Sequence, residues 1–153
     1  MNGFMENYAF WSALAGLLAA QILKPLLSLI VRKGWNWRLL FTTGGMPSSH
    51  TSTVIAMTSS IAITEGFSSP LFTICLVFSL IIMSDAMNVR YETGKQAEIL
   101  NEWSEIFSEM HKNGPFSPQN FKTMVGHSAF QVLAELGLGL VTGIGTTYFL
   151  KGF

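Results

Sequence analysis

Charged residues and cysteine are both scarce in this chain of 153 residues. Only 12% of the residues are charged, whereas an ordinary soluble domain is about a quarter charged. That composition argues against a typical soluble globule. Basic and acidic residues are balanced at 9 each, so the net charge gives no indication of a nucleic-acid partner. The lone cysteine, Cys75, excludes a disulfide scaffold and a zinc site built from cysteines.

Apolar residues are abundant instead. They make up 49% of the chain, including 12 Phe and 8 Met, and the mean hydropathy is +0.39. These values are typical of a chain whose surface faces lipid rather than water. We therefore expect a small integral membrane protein that forms a single transmembrane domain over residues 1–153.

Four apolar runs predict an all-α fold, an integral membrane helical bundle with about four transmembrane helices. Pro47 and Pro70 fit the first turn of the second and third helices. A bilayer core takes about 20 apolar residues per helix, so the shorter runs are extended by polar residues that neighbouring helices shelter. The predicted spans are residues 7–32, 47–64, 69–90 and 127–150. Glycines predict close packing of the fourth helix: Gly137, Gly139, Gly143 and Gly145.

A long polar loop, residues 91–123, separates the third and fourth spans. Its first part, residues 92–110, places apolar residues on one face of a helix and glutamates on another. This pattern predicts one amphipathic loop helix at the membrane interface.

Basic residues are distributed unequally between the two sides of the predicted bundle. Seven Lys and Arg fall on the side of the long loop, and Lys151 falls on the other. Because cytoplasmic loops carry the excess of Lys and Arg, the long polar loop and the loop between the first and second spans, residues 33–46, are expected in the cytoplasm and both termini outside. The seven are Arg32, Lys33, Arg38, Arg90, Lys95, Lys112 and Lys122.

The unusual polar residues of the spans lie at the four helix ends that alternation brings to the cytoplasmic side. Two of them, His50 and His127, are histidines near helix N-termini. With several cations and the N–H groups of the helix starts, they predict a phosphate-binding site. Asp85 is an ionisable residue at the end of a span, which favours a function there or a pairing with Arg90.

Two motifs carry a resemblance to a known superfamily. Residues 44–50, Gly-Gly-Met-Pro-Ser-Ser-His, resemble the Pro-Ser-Gly-His motif of the type-2 phosphatidic acid phosphatases and vanadium-dependent haloperoxidases. His127, followed at the fourth position by Gln131, resembles the His-x-x-x-Asp motif of the same superfamily. Shorter segments are similar to its small divergent branch, and the likeness covers most of the chain from Lys24 onward. The shorter segments are residues 64–67, 84–86, 89–90, 94–97 and 125–127.

The resemblance implies a phosphatase that uses neither a metal nor another cofactor. It makes His127 the nucleophile that forms a phosphohistidine, and His50 the general acid that protonates the leaving alcohol. Gln131 would orient the His127 imidazole through a hydrogen bond. Since Gln131 is neutral where the superfamily has Asp, Glu135 and Asp85 are the carboxylates that could substitute for it.

The resemblance also implies a cradle of hydroxyls and cations around the phosphate. Arg90 lies 37 residues before His127 instead of the usual six, so its role is kept only if the long loop is an insertion. The residues predicted to bind substrate are Lys24, Ser48, Ser49, Asp85, Arg90 and Lys95.

Several functions remain open at this point. The leading one is a membrane-embedded phosphatase acting on a lipid phosphate or diphosphate, with membrane lipids around it and the site on the cytoplasmic side. A second is a catalytically inactive relative that binds or moves an anionic lipid, and a third is a structural membrane subunit. Lys24, Arg90 and Lys95 would then act as interfacial anchors. Four helices are few to enclose a site, which leaves a homodimer as an alternative to a monomer.

Overall fold

The computed structural model describes residues 3–32, 40, 46–110, 119–123 and 125–152, with side chains described for all of these except 30–32. The described chain forms five α-helices, and the expected all-α bundle is confirmed. They are α1 (Tyr8–Arg32), α2 (Ser49–Glu65), α3 (Pro70–Met87), α4 (Val89–Met110) and α5 (Ala129–Lys151). Some residues named in the predictions lie outside the described residues: Lys33, Arg38, Gly44, Gly45 and Lys112.

Three helical stretches in the described ranges are long and apolar enough to cross a membrane. They are Tyr8–Leu29, Pro70–Met110 and Ala129–Lys151. Many of their apolar side chains are exposed on the outside of the bundle, as at Ile74 and Val141. A water-soluble protein rarely exposes so much apolar surface, so the chain is an integral membrane protein.

The second of the four predicted spans, α2, is the central helix of the bundle. It packs against α1, α3 and α5, and 11 of its 17 residues are buried. Several of its hydroxyls bond within the protein, such as Thr58 Oγ1, which lies 2.9 Å from Ser79 Oγ of α3. A short helix rich in Ser and Thr is stable in this position because protein groups, rather than lipid, meet its polar atoms.

Glycines allow α5 to approach α2 closely. A Cβ built on Gly143 would lie 2.5 Å from the carbonyl oxygen of Ala56, and one on Gly139 would lie 2.7 Å from the nearest side-chain atom of α2. The prediction of close packing is confirmed for these two residues. A Cβ on Gly137 or Gly145 would meet no described atom within 4 Å, so these two glycines do not serve the contact with α2.

Serine side chains cap the helices that start near the predicted prolines. Ser69 caps α3, and Pro70 occupies its first turn as expected. At α2 the cap is Ser48, whose side chain accepts from the Thr51 N–H. Pro47 therefore precedes the cap, and α2 begins two residues later than the predicted span.

The predicted amphipathic loop helix corresponds to α4, which follows α3 after the single residue Asn88. Residues 89–90, assigned above to the end of the third span, belong to this helix. Its buried side faces the segment that returns toward α5, where Asn101 and Ser104 bond the backbone of residues 119–121. The apolar residues of its other side are exposed, including Ile99, Trp103, Ile106 and Met110.

Candidate functional site

A cavity of about 360 Å³ lies where the start of α2, the end of α3 and the segment before α5 meet. These are three of the four helix ends that the alternating topology is expected to bring together; no described residue of the cavity wall comes from the fourth, the end of α1. Five of the predicted site residues line the cavity, together with Thr51 and four apolar residues. Its walls are Ser48, His50, Thr51, Ile81, Ile82, Asp85, Ala86, Arg90, Val125 and His127.

The backbone holds His127 in this cavity. The His127 N–H donates to the carbonyl oxygen of Ala86, near the end of α3, at 3.1 Å. Gly126, one residue earlier, packs against the backbone of Arg90 and Tyr91 so closely that a Cβ would overlap it. After α4, the chain therefore returns to the junction of α3 and α4. Arg90 and His127 share one cavity although 37 residues separate them.

Glu135 is the carboxylate beside His127. Its Oε1 lies 3.7 Å from His127 Nε2 and accepts a 2.6 Å hydrogen bond from the backbone N–H of Ser48. The residue is fully buried, with 0% of its surface exposed. One carboxylate thus joins α5 to the cap of α2 and to the histidine.

Gln131, predicted to orient His127, has another role in the structure. Its side chain accepts from the Ser128 N–H at 2.7 Å, and the Ser128 side chain accepts from the Gln131 N–H, which makes a capping box at the start of α5. The predicted span begins at residue 127, which would place residues 127 and 131 on one face of a helix. α5 begins only at Ala129, so that spacing does not apply, and Glu135 takes the neighbouring position.

Glu135 could have been recognised from the sequence as a candidate functional residue. It is a carboxylate in the middle of an apolar span, where an ionisable residue is unusual and marks a function or a pairing. The motif pattern, in contrast, gives Glu135 only the role of a substitute for Gln131. The pattern Ser128-x-x-Gln131 is itself typical of a capping box and would have indicated the local role of the glutamine.

Arg90 and Asp85 form an ion pair at the mouth of the cavity. Arg90 Nε lies 2.5 Å from Asp85 Oδ2, and both side chains are partly exposed. The sequence left two alternatives for Asp85, a function at that position or a pairing with Arg90, and the structure shows the pairing. Lys95 lies away from the cavity, with an exposed ammonium 3.0 Å from Glu92 Oε1 and 4.6 Å from the centre of the Tyr91 ring.

The remaining predicted residues divide between the cavity and the interior. His50 is exposed in the cavity and lies in electrostatic range of Arg90, Lys24, His127 and Asp85. Lys24 is 2% exposed and does not line the cavity. Ser49, the first residue of α2, is likewise buried and outside the cavity wall.

Comparison with known proteins identifies the family of the chain. A family model described as "Divergent PAP2 family" matches residues 5–144. The chain is also 32% identical over 157 residues to the uncharacterized membrane protein YuiD of Bacillus subtilis (strain 168), with 97% of each chain covered. No solved structure matches. A match over most of the length, with the histidines of both motifs in one cavity, leads to one conclusion: this integral membrane protein belongs to the divergent PAP2 family.

Proposed function

We propose that this protein is a membrane-embedded, metal-independent phosphatase that hydrolyses a lipid phosphate or diphosphate through a phosphohistidine intermediate. One observation carries the proposal: His50 and His127 line a single cavity with the guanidinium of Arg90. These groups are a nucleophile, an acid and a cation, which together meet the needs of phosphoryl transfer.

In the first step a His127 nitrogen attacks phosphorus. A nitrogen–phosphorus bond forms and the bond from phosphorus to the leaving oxygen breaks. The imidazolium of His50 donates its proton to that oxygen as negative charge develops on it. Arg90 and the hydroxyl-bearing start of α2 at Ser48 neutralise and hold the equatorial oxygens.

In the second step water attacks the phosphohistidine. His50, now neutral, takes a proton from this water, the nitrogen–phosphorus bond breaks, and inorganic phosphate leaves. Both histidines return to their starting protonation states, so the cycle consumes one water for each phosphate released.

The apolar part of the cavity wall supports a lipid as substrate. Ile81, Ile82 and Val125 lie beside the polar groups, and Ile81 is 60% exposed on the outer surface of α3. A molecule with its phosphate at the histidines would continue along apolar side chains. Since the sequence predicts the excess of Lys and Arg on this side of the bundle, we propose that the site is on the cytoplasmic side.

Phosphate release by purified protein in detergent tests this function. The substrates are phosphatidic acid, a prenyl phosphate and a prenyl diphosphate. We expect turnover of at least one of them, and a loss of at least about a thousandfold in His127→Asn, which keeps the shape but removes the nucleophile. Glu102→Gln, on the exposed side of α4, is the matched control and should retain activity.

Two further results distinguish the alternatives. Acid-labile phosphate trapped on the wild-type protein and absent from His127→Asn would support the intermediate. Binding of these lipids without turnover would contradict the enzymatic proposal and favour the inactive lipid-binding relative.

A further inference from the structure

We propose that Thr51 is a further phosphate-binding residue of the cavity, and that its hydroxyl donates a hydrogen bond to a non-bridging oxygen of the bound phosphoryl group. Thr51 directly follows His50 in the chain and is not one of the residues that the sequence motifs identify. The inference rests on the proposed function in that a phosphoryl group occupies the cavity. It does not require that the group be cleaved there.

The position of Thr51 is the first argument. It lies in the first turn of α2 and forms part of the cavity wall together with His50, Arg90 and His127. The wall also contains Ser48, the cap of this helix, so the positive end of the helix dipole lies at the cavity. An anion held by the two histidines and the guanidinium is therefore next to Thr51.

The state of the Thr51 hydroxyl is the second argument. The residue is 0% exposed, and its Oγ1 has no hydrogen-bond partner among the described residues. Buried polar groups are nearly always hydrogen-bonded, because an unpaired one has lost its bonds to water without replacement. An unpaired hydroxyl in the wall of a cavity is explained when the ligand of that cavity supplies the missing acceptor.

Other threonines of α2 bond within the helix. Thr53 and Thr58 donate to the carbonyl oxygens four residues earlier, at 2.6 and 2.7 Å, which is the usual pattern for a threonine in a helix. Thr51 makes no such bond. Two side-chain rotamers are accessible to a helical threonine, so Thr51 can present its hydroxyl to the cavity without any movement of the backbone.

Binding of inorganic phosphate to the full chain in detergent tests this contact without turnover. Thr51→Val keeps the shape of the side chain and removes the hydroxyl, whereas Thr51→Ser keeps the hydroxyl. We expect the Kd for phosphate, measured by calorimetry, to rise about tenfold in Thr51→Val and to stay within about threefold of the wild type in Thr51→Ser. Equal affinity of the wild type and Thr51→Val, or no binding by the wild type, would overturn the proposal.

Ser60→Ala is the matched control. Ser60 also lies in α2, is 0% exposed and has an Oγ without a hydrogen-bond partner among the described residues, but it does not line the cavity. Its replacement should leave the Kd for phosphate unchanged. A rise equal to that in Thr51→Val would show that loss of any buried hydroxyl of α2 weakens binding, which would refute a direct contact.

Melting without phosphate separates a ligand contact from a structural role. Thr51→Val removes an unpaired buried hydroxyl, so its Tm should equal or exceed that of the wild type, and added phosphate should raise its Tm less. A lower Tm combined with an unchanged stabilisation by phosphate would assign Thr51 a structural role and overturn the proposal.

Kinetics with phosphatidic acid show which part of a lipid the hydroxyl contacts. Thr51→Val should raise KM about tenfold with kcat within about threefold, because a non-bridging oxygen is held equally before and during the reaction. A loss with phosphatidic acid and none with inorganic phosphate would place the hydroxyl on the glycerol part and overturn the proposal. If the wild-type protein binds phosphate but releases none from any lipid, the proposed function fails, and the phosphate affinities still decide the contact.

Discussion

Gly126, which lies just before α5, packs against the backbone of Tyr91 in the first turn of α4. This contact brings the segment that carries His127 to the end of α3 and to Arg90. The long segment from α4 to α5 thereby keeps the cation and the histidine beside one cavity. The absence of a side chain at Gly126 is what permits the approach.

Gly126→Ala should therefore impair the site more than the fold. The added methyl group would overlap the Tyr91 backbone, so the segment must move and His127 moves with it. We expect at least a tenfold loss of kcat, since small displacements of catalytic groups are costly. Gly137→Ala is the matched control because nothing lies within 4 Å of its Cβ. Equal activity of the two variants in a phosphate-release assay would refute the role of this contact.

Arg90 and Lys95 should differ in their effects on turnover. Arg90→Ala removes a guanidinium from the cavity wall and leaves the Asp85 carboxylate, which repels phosphate. We expect kcat/KM to fall about tenfold, a moderate effect because the side chain is half-exposed. Lys95→Ala should stay within about twofold of the wild type. A larger loss in Lys95→Ala than in Arg90→Ala would place the phosphate on the other side of α4.

The histidines and Arg90 could be predicted from sequence because their information is local: motif patterns and alternating spans identify which ends meet. The partner of His127 could not be identified in this way. It depends on where α5 starts, and a helix boundary displaced by two residues changes which side chain faces the imidazole. Glu135 can be identified as the neighbour of His127 only from the way α5 packs against the start of α2.

The different positions of Lys24 and Arg90 have a similar origin. Both are cations near helix ends, and the sequence predicts that both reach a phosphate. Packing distinguishes them, because Lys24 is buried and does not line the cavity, while Arg90 is half-exposed in its wall. Side-chain direction relative to neighbouring helices is a tertiary property that motif spacing does not encode.

His50 should matter most for substrates with poor leaving groups. As the general acid it protonates the departing oxygen, and an aryl oxygen of low basicity leaves without that help. His50→Ala should therefore lose at least about a hundredfold of kcat on an alkyl phosphate but about tenfold or less on an aryl phosphate. His127→Asn is the reference and should lose activity on both equally. The same loss on both substrates in His50→Ala would argue for a binding role instead.

The contact between α5 and α2 should control stability. Gly143→Ala forces a methyl group to within 2.5 Å of the Ala56 carbonyl oxygen, and overpacking of this kind costs about 1–3 kcal/mol. Gly145→Ala adds a methyl group where nothing lies within 4 Å. Melting of the two purified variants should show a lower Tm for Gly143→Ala only. A comparable decrease in both would mean that the outer surface of α5 is also packed, as in a dimer.

The orientation in the membrane can be tested with single cysteines introduced into a variant in which Cys75 is replaced by Ala. Glu102→Cys lies on the exposed side of α4, and Ser68→Cys lies in the exposed turn between α2 and α3. Because the excess of Lys and Arg is at the α4 end, we expect a membrane-impermeant maleimide to label Ser68→Cys in intact cells and Glu102→Cys only after the membrane is opened. The two positions lie at opposite ends of the bundle, so each serves as the control for the other. The reverse pattern would place the cavity with His50 and His127 on the outer side, where it would act on lipid phosphates of the outer leaflet.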